Sequence, residues 1–143
     1  MPGRRGQVAS VDLGGRRAAR ERALELLYEC ELKQLSPSAL LAELPVEPTA
    51  YAAELVRGVE AHQAEVDELV GKHAIDWSLA RMPVVDRALL RLATYELLFQ
   101  AGVPMAAVIS EAVSLAKAYS TDESAGFVNG VLAAVAREAR PGT

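Results

Sequence analysis

Residues 83–101 read PVVDRALLRLATYELLFQA, and the architecture follows from how this stretch is covered. Pro83 suits the first position of a helix, where its missing N–H belongs to the amides that a helix start leaves unpaired anyway. Projected at 100° per residue, Val85, Leu89, Leu92 and Phe99 share one face, while Leu90, Leu97 and Leu98 lie well away from it. A helix this apolar all round is buried by neighbours on several sides. Residues 83–101 are therefore expected to form the central helix of an all-α protein, stopping at Gly102. Glu96 projects among Val85, Leu89 and Leu92. A carboxylate there needs donors, so it is expected to bond a neighbouring helix start or an arginine, in a structural rather than a catalytic role.

The remaining chain supplies the neighbours. From Arg16 to about Leu35 the apolar residues follow a helical period, and SPS at 36–38 restarts a short helix that ends near Leu44. Thr49 is placed to cap a long third helix carrying Ala52, Leu55, Val56, Val59, Val66 and Val70 at helical spacing. GKHAIDWSLARM, residues 71–82, has no clear period and reads as a turn with one short helix. Pro104 opens a helix that reaches Tyr119. STDE at 120–123 has the form of a capping box, Ser120 with Glu123, at the head of a last helix to about Ala139. No β-branched run alternates at period two, so about seven helices and no strands are expected. Residues 1–15, with four glycines and no apolar period, read as a flexible basic arm before a single helical domain over 16–140.

Composition excludes several classes of function. With 51% hydrophobic and 24% charged residues the chain is globular rather than disordered. The lone Cys30 fits a packed thiol in a reducing cytoplasm. Arg91 and Glu96 interrupt the longest apolar stretch, so no membrane span is expected, and no apolar leader follows the basic start. There is no glycine-rich phosphate loop and no Cys or His pair at metal spacing. His62 and His73 would lie about 16 Å apart on one helix, too far to share an ion, and read as packed residues. Nothing supports a Ser/His/Asp site. Neither an enzyme, a metal site nor a cofactor is expected.

Charge is unevenly placed. The chain has a net charge of -4, yet residues 1–22 carry Arg4, Arg5, Arg16, Arg17, Arg20 and Arg22 against Asp12 and Glu21. Cations at a helix start oppose its dipole, at a few tenths of a kcal/mol each. With Leu24 at zero on the wheel, Arg22 falls with Glu25, Glu29 and Lys33 on the polar face, between about 100° and 180°. Arg17, Arg20 and Arg16 point to about 20°, 320° and 280°, the side of Leu24, Leu27, Tyr28 and Leu35. These three extend the core stripe beyond the core. Two explanations remain open: packed stems with heads paired to acidic residues of other helices, or a cationic surface for phosphates, which guanidinium forks bind bidentately.

RRAARERALELLY at 16–28, VDRALLRLATYELL at 85–98, VPMAAVISEAVSLAKAY at 103–119 and FVNGVL at 127–132 resemble NusB-type transcription antitermination factors. The resemblance runs in order from Arg16 through nearly the whole chain. It implies two packed three-helix bundles and a protein that binds the boxA segment of nascent ribosomal RNA transcripts. The binding is shared with NusE, a small-subunit ribosomal protein, and acts within the transcription elongation complex. The family's arginine-rich motif falls on Arg16, Arg17 and Arg20, and its RNA-stacking aromatic on Phe127. Its acidic partner-side positions fall on Asp86 and Glu123. Gly126 departs from the family, which often has a basic residue there. Gly130, mid-helix, is explained by close helix packing. A different class of function, a helical protein-interaction module that forms a homodimer with arginines paired across it, is the alternative.

Overall fold

The structure, a computed structural model, describes residues 2–142, with side chains from Arg16 onward. Its helices are α1 (Pro2–Lys33), α2 (Pro37–Glu43), α3 (Ala50–Ala61), α4 (Gln63–His73), α5 (Val84–Phe99), α6 (Met105–Tyr119) and α7 (Asp122–Ala139). A single 3-10 turn, Leu79–Arg81, lies between α4 and α5. No strand occurs among the described residues.

Two groups of three helices pack side by side. α1, α2 and α3 touch one another, as do α5, α6 and α7. α5 joins the groups by packing on α1 and α3 as well, and α4 lies across α5 and α7. Burial explains the central position of α5: Leu89, Leu90, Leu92, Ala93 and Leu97 are all at most 3% exposed. Its one-sided partners α3 and α7 bury Leu55, Val56 and Val59, and Val128, Leu132 and Val135. Among the described residues no helix is long and apolar enough to cross a membrane.

Helix ends follow local chemistry. Ser36 caps α2, its hydroxyl accepting from the Ala39 amide at 3.2 Å, with Pro37 in the first turn. Thr49, Pro83 and Pro104 occupy the cap positions of α3, α5 and α6 without side-chain caps. Three boundaries differ from the sequence pattern. The expected long third helix breaks at His62, whose ring stacks on Phe99 at 4.1 Å between centroids, a contact from α5 that no local pattern encodes. α7 is capped by Thr121, which accepts from the Ser124 amide at 2.9 Å, while Ser120 bonds the Ser124 hydroxyl. The helix therefore starts one residue later than a Ser120–Glu123 box requires. Finally, the backbone of α1 extends to Pro2 through the segment read as an arm. No proline interrupts residues 3–36, and Pro2 stands where its missing N–H is harmless. The side chains of Arg4 and Arg5 lie outside those described.

Candidate nucleic-acid interface

The three arginines singled out on α1 separate by depth. Arg20 is buried, 6% exposed, and its Nε and Nη2 donate to the two carboxylate oxygens of Glu96 on α5 at 2.8 and 2.9 Å. The Tyr51 hydroxyl, on α3, donates to the same carboxylate at 2.8 Å. Glu96 thus ties together α1, α3 and α5 and is the arginine-satisfied structural carboxylate expected of it. Burial works against the Arg20 charge, but the hydrogen bond and charge of Glu96 outweigh it, holding the guanidinium pKa above its ordinary value. Burial, then the Glu96 charge, pushes the Tyr51 hydroxyl well above the ordinary tyrosine range.

Arg16 and Arg17 lie outside this lock. The Arg16 guanidinium stands 5.3 Å from the centroid of the Tyr51 ring, a cation–π contact. Arg17 keeps 68% of its side chain exposed, and its Nε and Nη2 reach Glu111 of α6 at 3.1 to 3.3 Å. An exposed ion pair of this kind contributes only about 0–1 kcal/mol, so phosphate can displace the carboxylate at little cost. The cluster therefore divides by depth: Arg20 is packed and paired with Glu96, while Arg16 and Arg17 stay nearer the surface. The Nε and Nη2 donors of Arg20 are committed to Glu96 inside the core. Arg22 and Lys33 pair along α1 with Glu25 and Glu29 at 3.2 and 2.8 Å, as their polar-face positions require.

Phe127 belongs to a second locus. It stands one turn into α7, half-buried, with Trp77 packed edge-on at 5.4 Å between centroids and 74° between planes. The two rings share an open groove with Glu123, Asp76 and Pro83. Glu123 is exposed at its rim. This groove flanks the Ser120–Thr121 turn that follows α6, whereas Arg17 meets α6 at Glu111, about two turns earlier.

Asp86 does not reach the surface. It is 0% exposed on the first turn of α5, and neither carboxylate oxygen has a hydrogen-bond partner among the described residues. In this chain taken alone, the side chain expected at a partner contact is fully buried. The neighbouring Val85 lines an apolar groove with Leu24, Tyr28, Leu32 and Tyr119. Gly130 also departs from expectation, since a Cβ there would meet nothing within 4 Å. Close helix packing belongs instead to Gly58 of α3, whose added Cβ would overlap the Tyr95 ring. Trp77 and Tyr51 were not evident as site residues, because the contacts that place them are 50 and 45 residues away in sequence.

Residues 17–137 match the model of the NusB family. The chain is 51% identical over 124 residues to the transcription antitermination protein NusB of Acidothermus cellulolyticus, covering 84% of this chain and 86% of that one. NusB from T. maritima superposes with a TM-score of 0.79 at 36% identity, over 88% of this chain and 93% of the other. A NusB chain from a complex of antitermination factors NusB and NusE with double-stranded RNA superposes with a TM-score of 0.74 at 32% identity, over 86% and 96% of the two chains. By fold and by sequence this all-α protein belongs to the NusB family.

Proposed function

We propose that this chain is a cytoplasmic RNA-binding transcription antitermination factor. It takes a boxA-type single-stranded segment of nascent ribosomal RNA together with NusE, within the elongation complex, and promotes read-through. The observation that carries the reading is the exposed Arg17 fork beside Arg16, set on a helix whose position is fixed from below by Arg20 and Glu96. Phosphates bind at Arg16 and Arg17, and an unpaired base stacks on Phe127. The apolar groove of α1, with Tyr28 42% and Leu32 67% exposed, offers surface of the kind a protein partner covers, whereas Glu123, the other acidic position, lines the Phe127 groove. No catalytic step belongs to this activity.

Gel-shift titration tests it, using boxA and scrambled RNA with the wild type and an Arg16→Ala, Arg17→Ala double variant, with and without NusE. Tight boxA binding that falls with salt and is lost in the double variant is expected. Equal binding by wild type and double variant would remove Arg16 and Arg17 from the interface. Absence of RNA binding in every combination would sink the proposal.

A further inference from the structure

We infer that Trp77 is a second stacking residue, forming with Phe127 a pocket that takes one unpaired nucleobase carrying an amino donor. The inference rests on the RNA-binding reading above and assigns the base-recognition part of that surface. Trp77 is the chain's only tryptophan and is 38% exposed, held in the irregular segment between α4 and α5. Its edge-on packing against Phe127 leaves two ring surfaces at an angle within one groove of about 490 Å³. Indole and phenyl faces stack on any base without regard to sequence.

The polar lining says what the rings hold. Among the described residues of the groove, Asp76 and Glu123 supply carboxylates and Ser120 and Thr121 hydroxyls, while no lysine or arginine takes part. Such a lining repels phosphate and accepts hydrogen bonds from donors. Thr121 caps α7 and Ser120 donates to Ser124, while Asp76 and Glu123 bring the only charged acceptors of this lining, the stronger ones for a ligand's donor. Carboxylates pair with the amino groups of cytosine and other amino-bearing bases, as they do in nucleic-acid readout generally. The division of labour is therefore by chemistry: phosphate at Arg16 and Arg17, and base at Trp77 and Phe127.

A single tryptophan makes the test direct. Intrinsic fluorescence of the wild-type protein is followed while boxA RNA is added, in parallel with a gel shift, with and without NusE. Stacking is expected to quench the emission along the same binding curve. An abasic nucleotide introduced at successive positions should abolish the quench at one position while the gel shift persists. Trp77→Ala should weaken RNA binding roughly tenfold, and Trp77→Phe should retain most of it, which separates stacking from a folding defect. RNA binding in the gel shift with unchanged emission would overturn the pocket and leave the RNA-binding reading intact. A full quench produced by NusE without RNA would assign the groove to the protein partner and overturn the inference as well. No binding by either readout would overturn both.

Discussion

The Arg20 guanidinium holds both oxygens of Glu96 across 76 residues of sequence, inside the seam between the two helix groups. Removing one member of such a buried pair strands the other charge. Glu96→Ala or Arg20→Ala is expected to lower unfolding free energy by about 3–5 kcal/mol, measured by urea denaturation. Replacing both together, with methionine at each, should recover much of that loss. Additive losses in the double variant would contradict the pairing.

Glu111 competes with any phosphate for Arg17. Glu111→Gln should raise RNA affinity by up to about fivefold at low salt, the most an exposed pair of this type is worth. The gain should shrink as salt rises. Stability should change by less than about 0.5 kcal/mol. A loss of affinity would show that Glu111 positions Arg17 rather than restrains it.

Tyr51 sets an alkaline limit. Its folded-state pKa is raised by burial and by Glu96, so the native state holds this proton more tightly than the unfolded chain does. The stability it contributes is complete below the unfolded tyrosine pKa of about 10 and is lost as pH rises above it. Urea midpoints measured upward from pH 9 should fall for the wild type and fall less steeply for Tyr51→Phe. Parallel curves would exclude Tyr51 as the source.

Two glycines should respond in opposite directions. Gly58→Ala drives a methyl into the Tyr95 ring and is expected to cost about 1–3 kcal/mol. Gly130→Ala fills open space on an exposed helix and should add about 0.4–1 kcal/mol. Thermal or urea unfolding checks both. If Gly130→Ala stabilises the fold yet weakens RNA binding, the bare backbone of α7 at that point serves the ligand.

Helical periods and caps made most of the fold legible, because each depends on residues within a turn or two. α5 and its buried Glu96 were readable from the wheel alone. Side-chain depth was less so: the wheel gave a common direction to Arg16, Arg17 and Arg20, but only the reach of Glu96 and Tyr51 from distant helices separates Arg20 from the others. Asp86 shows the same limit, since an acid in a first helical turn suits the dipole whether it is exposed or buried, and only the packing around α5 settles its depth. At α7, neighbouring Ser120 and Thr121 are both good caps, and local chemistry does not choose between them. The break at His62 and the Trp77–Phe127 contact arise from rings far along the chain.

The three-helix junction at Glu96 also bears on the energetics of ligand capture. Because α1 is pinned before any ligand arrives, the spacing between Arg16 and Arg17 is set by the folded core rather than by the strand they receive. The ordering entropy of association then falls on the RNA and on two side-chain tips, with no helix to be organised on contact. Loosening the junction without unfolding the protein should therefore show as slower capture and a larger entropic penalty.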